Sequence, residues 1–583
     1  MNFVMRVLIA LAVAITGVGP LSAAEPAKTK LLVLVVFDQF RGDYPERWGE
    51  LFGKDGFRRL QTEGAWFNNC HYPYATTQTG PGHASMLTGC SPNGHGICMN
   101  QWYDRKTSAP VNCAESDRYQ RVPALPKMVD PEQPKDPAAK DDEPKEAEKT
   151  KVKHAGSPEW ILAPTIGDVL KETSKGKAKV VGLSFKDRSA LLPVGKSADA
   201  VYWLDSTDGQ IVTSSFYRDS VHHWVAAFNR ERIADRWFDK DWERFLPKLD
   251  YLKNAGPDQV TGEGRGVKQG VVFPHRMDGG LTKPGKSYYE ALFNSPFGNE
   301  FLFDLVKKAV IAEKLGQDDI TDLLVVSFSS NDAIGHIWGP DSQEVLDVTL
   351  RSDRLLAQLL AFLDKEVGKD KYTLALTADH GICPLPEVTA AKGGVAKRIP
   401  AKKMALAAEE HLRETFDKEP VDPASKAKWI ESVQPPWFYL NHTLIENRKL
   451  KVEDVAAELA KFLAKQEGID RALTRADLDD AKEGDPMLRR LRRSFHPDRC
   501  GDVGTIVTPF FLVDNYLTGT THGSPHPYDT HVPLMILGPG VRKGTFKDAV
   551  TPQAITAIFA QAAGIPRPRL AEYPVPTGLF PAK

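Results

Sequence analysis

LLVLVVF, Leu31–Phe37, is seven apolar residues in a row with no polar position among them. A strand with one wet face alternates apolar and polar side chains, so an unbroken run reads as a strand buried on both faces, as in a parallel sheet covered by helices. Comparable runs follow in AKVVGLSF (178–185), DLLVVSF (322–328), YTLALTA (372–378) and HVPLMILG (531–538). Helix-like segments lie between them, at 166–172, 300–313 and 343–367. Strands alternating with helices predict an α/β fold: a doubly wound, mostly parallel sheet with helices on both faces. Ligands of such sheets bind beyond the carboxyl ends of the strands, which is where chemistry is to be sought.

Around these runs the chain has 583 residues, enough for one large domain with insertions. Lys+Arg 75 against Asp+Glu 76 leave a net charge of -1, so the overall balance offers nothing to a nucleic acid or an acidic membrane. At the amino end, Arg6 precedes an apolar run that closes on Ser22, Ala23 and Ala24. This order predicts a secretory signal peptide over 1–24, and Gly17, Gly19 and Pro20 interrupt the run before it reaches the length of an anchor. The mature chain, 25–583, is then periplasmic or secreted, with no membrane anchor after cleavage. Residues 130–153 are Pro-rich, densely charged and aperiodic, which predicts a solvated, disordered loop. Segments 202–299 and 384–509, rich in Trp, Arg and Pro, are read as insertions that cap the site. Cys70, Cys90, Cys98, Cys113, Cys383 and Cys500 in an exported chain favour structural disulfides over a thiolate metal site, since no CxxC spacing is present.

Asp38 follows the first strand in VVFDQFRGD, at the position where such a sheet presents a hard anionic ligand or a helix cap. Asp332 and His336 stand at i, i+4 after the 322–328 run, a spacing that directs both side chains to one side of a helix. Asp379 and His380 close the 372–378 run, and HGSPHPYD adds His522 or His526 before the next one. Each pair alone reads equally well as a satisfied polar contact. Together, three aspartates and three histidines beside strand ends suffice for two metal ions of mixed oxygen and nitrogen ligation, for which zinc is the best match. The nucleophile candidate lies in YATTQTGPGHASMLTG, where Thr79 precedes Gly80 and Pro81, with Pro81 expected to open a helix whose free N–H groups face an anion. Thr76 and Thr77 are its competitors, and an N-cap is the alternative role for all three.

Asp38, Thr79, Asn100 in MNQWYD, Lys186-Asp-Arg188, Asp332-xxx-His336, Asp379-His380-Gly and His522-Gly-Ser, taken as a set from Leu31 to about Gly540, resemble the alkaline phosphatase superfamily. The resemblance is to its phosphate-irrepressible alkaline phosphatases with a threonine nucleophile, relatives of the nucleotide pyrophosphatase/phosphodiesterase domain. It implies one zinc on Asp332, His336 and His522, a second on Asp38, Asp379, His380 and Thr79, and phosphate oxygens held by Asn100, Lys186 and Arg188. It also implies hydrolysis of small phosphate monoesters through a phosphothreonine. Calcium at further sites and the oligomeric state are not readable. A phosphodiesterase or nucleotide pyrophosphatase is the alternative within the superfamily. A sulfatase fails because Cys90-Ser-Pro-Asn-Gly94 lacks the arginine of its motif, and a non-catalytic metal- or phosphate-binding protein would not need Thr79.

Overall fold

The structure, a computed structural model, describes residues 29–125, 155–417, 427–479 and 484–581. The signal peptide expected at 1–24 and the charged loop expected at 130–153 lie outside the described residues. Ten strands form the main sheet, numbered here in chain order: β1 Leu31–Phe37, β2 Ala65–Phe67, β3 Arg121–Val122, β4 Val180–Ser184, β5 Ala200–Asp205, β6 Gln210–Ser214, β7 Asp322–Phe328, β8 Tyr372–Thr377, β9 Leu534–Leu537 and β10 Gly544–Phe546. Their order across the sheet is β10-β2-β9-β8-β1-β7-β4-β5-β6-β3. β1 lies at the centre with all seven side chains fully buried, as its uninterrupted apolar run requires.

The five strands β8-β1-β7-β4-β5 run parallel. Their register decides where the site lies. Val36 stands opposite both Ser327 and Thr377, so the chain leaves β1, β7 and β8 at one level, and Asp38, the helix after Phe328 and Asp379 emerge side by side. The sheet is more mixed than the sequence suggests. β9, read from HVPLMILG as one more parallel strand, pairs antiparallel with both β8 and β2. The physical reason is its approach: the HGSPHPYD segment lies at the rim where β8 ends, so the strand that follows must run back down the sheet.

Between β8 and β9 the chain builds a smaller antiparallel sheet from Ile430–Gln434, Trp437–Leu440, Val503–Val507 and Ile469–Thr474, in that order. It has its own core, in which Leu440, Ile445, Val455, Leu459 and Leu463 are fully buried, and its Val433, Pro435 and Phe438 form one wall of the cleft above the main sheet. Segment 202–299 behaves differently. It supplies most of β5 and all of β6, and its Trp242 and Tyr251 both donate to Asp347 of the helix Gln343–Leu363, at 2.8 and 2.7 Å. None of its residues lines the cleft. Among the described residues no helix is long and apolar enough to cross a membrane.

The expected disulfides are absent. All six thiols are free and buried, so each cysteine packs as a small apolar residue. Burial also pushes the Cys90 and Cys113 thiols up, to about 11 and about 12, and keeps them protonated.

One buried imidazole makes the fold sensitive to acid. His95 accepts the Ile97 N–H at Nδ1 (3.1 Å) and meets the Ser85 hydroxyl at Nε2 (3.0 Å), which fixes it as a neutral ring. Burial, then the nearby Arg499, lower it to about 3. Because the native pKa is below that of the unfolded chain, the associated stability is complete above about pH 6.5 and is lost as pH falls toward 3, by roughly 4–5 kcal/mol at the lower limit. Urea unfolding of the wild type and His95→Gln from pH 7.5 to 4 tests this. The variant is expected to lose stability less steeply on acidification; equal slopes would remove His95 from the account.

Candidate active site

The helix α1, Thr79–Thr88, is buried along its whole length, with Gln78 as its N-cap residue and no side-chain cap bond. Thr79 therefore opens the helix, and Pro81, expected at the first position, comes two residues later. Gly82 is required by packing, because a side chain there would collide with the Asp379 backbone. That close approach brings the Thr79 hydroxyl to 3.4 Å from His380 Nε2. The competing threonines are placed elsewhere: Thr77 donates its hydroxyl to the Ser524 carbonyl at 2.8 Å, and the Thr76 hydroxyl is buried without a hydrogen-bond partner.

Two clusters of ligand atoms lie beside Thr79. Asp332, His336 and His522 form one, and Asp38, Asp379 and His380 the other; within each, the atoms that would face an ion lie within 4.8 Å of one another. Asp332 and His336 come from α2, Ser330–Trp338, which starts just beyond β7. The imidazoles are set for ligation. His336 Nδ1 lies 2.7 Å from the Thr520 carbonyl, His522 Nδ1 2.7 Å from that of Thr77, and His380 Nδ1 2.9 Å from that of Gly381. A carbonyl only accepts, so each Nδ1 carries a proton, and each Nε2 is the ring nitrogen turned toward the carboxylates and available to an ion once it is unprotonated. The His380 and His522 rings stack at 3.5 Å, so the clusters adjoin.

The carboxylates agree. Asp38 Oδ1 is fully buried without a hydrogen-bond partner, and Asp379 Oδ2 has only the rings of His83 and His380 beside it, at 3.2 and 3.3 Å, a costly state for two carboxylates unless a cation completes it. Lys186, expected at the phosphate, reaches Asp38 Oδ2 at 2.7 Å and Asp332 Oδ2 at 2.5 Å, joining one carboxylate of each cluster. Burial, then Asp379, pushes Asp38 well above the usual carboxylate range, against the pull of Lys186. Burial would raise Asp332 as well, but Lys186 and His336 hold it well below. Arg188 and Asn100 line the same cleft of about 430 Å³ as His336 and His522. Asn100 Oδ1 accepts the Gly80 N–H at 2.7 Å, and Arg188 Nε is buried without a partner. Neither Lys186 nor Arg188 is a freely solvated charge.

His526 stands outside both clusters, with its Nε2 2.8 Å from the Val507 carbonyl. His522→Ala is accordingly expected to remove metal and activity together, and His526→Ala to keep most of both. Metal content measured beside turnover decides between them, and the reverse pattern would overturn the assignment.

Three buried residues at the site carry no spacing signal and escape a reading of the sequence. Gln39 follows Asp38 directly. His83, one turn after Thr79, donates Nδ1–H to the Thr79 carbonyl at 2.9 Å and lies 3.2 Å from Asp379 Oδ2. Asp529, inside HGSPHPYD, accepts from the Gly523 and Ser524 N–H groups and the Ser524 hydroxyl, and so holds the turn that carries His522. Proximity to the recognised motifs was the only available signal for each.

The type I phosphodiesterase / nucleotide pyrophosphatase family matches residues 32–529. The chain belongs to this family. It is 30% identical over 519 residues to the alkaline phosphatase PafA of Elizabethkingia meningoseptica, covering 89% of this chain and 88% of that one. Over 550 residues it is 31% identical to a Myroides odoratus protein named calcium-transporting ATPase, covering 93% of each. The crystal structure of wild-type PafA shares 28% identity with it and superposes with a TM-score of 0.84, over 96% of this chain and 100% of that one. Family and fold together make the chain a member of the alkaline phosphatase superfamily.

Proposed function

We propose that this chain is a periplasmic or secreted phosphoric monoester hydrolase, an alkaline phosphatase that works through a phosphothreonine at Thr79 with two zinc ions. The observation that carries the reading is the Thr79 hydroxyl, 3.4 Å from His380 Nε2, at the junction of two Asp/His clusters whose three imidazoles all turn Nε2 toward the cluster carboxylates. Relatives named alkaline phosphatases along nine-tenths of the chain support it.

Asp332, His336 and His522 would hold one ion, and Asp38, Asp379, His380 and Thr79 the other. When bound, the pair supplies Lewis acidity that lowers the pKa of a ligating hydroxyl and offsets charge on the reacting phosphoryl group. Thr79 suits the nucleophile's part because it is held by packing at the head of a buried helix and is not spent on capping. Thr79 gives its hydroxyl proton to solvent, Oγ1 attacks phosphorus, the bond to the ester oxygen breaks, and the departing alkoxide takes a proton from water to leave as the alcohol; water then cleaves the phosphothreonine, returning a protonated Thr79 and releasing phosphate. Arg188 and Asn100, which line the cleft, orient the non-bridging oxygens, and Lys186, expected from the sequence to join them, instead offsets the charge of Asp38 and Asp332. The small antiparallel sheet closes one side of the cleft and limits water there.

A phosphodiesterase or nucleotide pyrophosphatase remains the second reading, favoured by the name of the matching family. Rates on nitrophenyl phosphate and bis(nitrophenyl) phosphate, with and without EDTA, separate the two. A faster, EDTA-sensitive monoesterase is expected; a faster diesterase would promote the second reading, and inactivity on both would end the first.

A further inference from the structure

Gln39, like Lys186, bridges the two ligand clusters. It is buried, and its backbone sits at φ 68°, a left-handed conformation that a non-glycine residue keeps only when its surroundings hold it there. Two hydrogen bonds do so. Its N–H donates to Asp379 Oδ1 at 3.1 Å, and its side-chain Nε2 donates to Asp332 Oδ1 at 2.6 Å. A carboxylate only accepts, so the orientation of the amide follows from this contact. One residue thus grips a carboxylate from each cluster, from a position fixed by the preceding ligand, Asp38.

The helix facing Gln39 is shaped to admit it. At Gly335, one residue before His336, a Cβ would collide with Gln39 Oε1, and the next nearest atom of another side chain is Ile382 Cδ1 at 3.8 Å. The glycine is helical without a positive φ, so space for the Gln39 amide, and not backbone freedom, explains it.

We infer that Gln39 is a positioning residue that orients Asp332 toward its ion through the side-chain amide while its backbone N–H orients Asp379. This rests on the reading that the two clusters hold metal. The amide donates to one carboxylate oxygen and limits rotation of the group. Without it Asp332 can turn toward Lys186, which already lies 2.5 Å from its other oxygen. Loss of an outer hydrogen bond to a metal ligand typically lowers metal affinity by about 10–100-fold.

The test removes the amide in two ways. Gln39→Gly keeps the backbone N–H and suits the positive φ, so only the Asp332 contact is lost. Gly335→Ala leaves Gln39 in place but pushes its amide away, and in an exposed helix this change would favour folding. Metal content is measured by mass spectrometry across a chelator titration of the full-length protein, with the melting temperature alongside. In each variant one of the two ions is expected to leave at about 10–100-fold lower chelator while the other keeps its wild-type midpoint. The double variant should lose no more than Gln39→Gly alone, because the collision disappears with the side chain. Wild-type midpoints for both ions in a folded Gln39→Gly or Gly335→Ala protein would overturn the inference, as would loss of both ions in parallel with a lowered melting temperature. A wild-type protein that binds no metal would instead overturn the proposed function.

Discussion

Thr79→Ala is expected to lower kcat/KM for a phosphate monoester by about 10⁴-fold or more while leaving the fold and most bound metal in place. The size follows from the role: a loss of that order removes about 5 kcal/mol or more of transition-state stabilisation, beyond what one oxygen contact supplies. Thr79 is 1% exposed at the first position of a wholly buried helix, so alanine preserves backbone and packing apart from a methyl and a hydroxyl. Each ligand cluster keeps its full set of Asp and His residues. Thr79→Ser, which retains the hydroxyl, should recover a large part of the rate. Thr77→Ala disturbs only the contact to the Ser524 carbonyl and should stay active, as should Thr76→Ala. Steady-state kinetics and metal analysis of the four variants, with mass spectrometry of acid-quenched enzyme, check these outcomes. A phosphopeptide carrying its label on Thr76 or Thr77, or a Thr79→Ala enzyme within tenfold of wild type, would sink the nucleophile assignment.

The parts of the fold legible beforehand are those where burial on both faces removes ambiguity. Leu31–Phe37 and Asp322–Phe328 are strands at the bounds their apolar runs imply, and the 178–185 and 372–378 runs differ from their strands only at the ends. Direction was not legible in the same way. Nothing within 531–538 distinguishes a parallel from an antiparallel strand, since that choice depends on where the preceding rim segment enters. The short strands β2 and β10 escaped because three residues carry too little pattern. At the site, six of the seven Asp and His ligand candidates fall in the two clusters, His526 being the one outside, because strand ends that a parallel register aligns bring their flanking residues together. Gln39, His83 and Asp529 were hidden, since a residue that positions a neighbour shows its role only through a contact in space.

The remaining large effect concerns Lys186 and Arg188, whose side chains have different surroundings although they are two residues apart. A phosphate monoester brings a dianion, and part of its charge must be met by groups other than metal. Arg188 fits that need: it lines the cleft, and its Nε is buried without a partner, a state that an incoming oxygen would relieve. A diester carries one charge less and sets a second organic group toward the same place, so it gains little from Arg188. Lys186 is different, because it lies between Asp38 and Asp332 and offsets part of the charge of three buried carboxylates, Asp379 being the third. Its loss exposes those groups to one another whatever the substrate. Arg188→Ala is therefore expected to cost monoester kcat/KM about 10²–10³-fold, the yield of one charged contact of roughly 3–4 kcal/mol in the transition state, and to cost diester hydrolysis far less. Lys186→Ala should depress both substrates and also lower stability when metal is withheld, since a broken buried pair costs about 3–5 kcal/mol. Michaelis parameters on matched mono- and diesters, with melting curves at set metal levels, resolve the two behaviours. Equal losses on both substrates in Arg188→Ala would remove the physical basis for a monoester preference and leave the diesterase reading the stronger one.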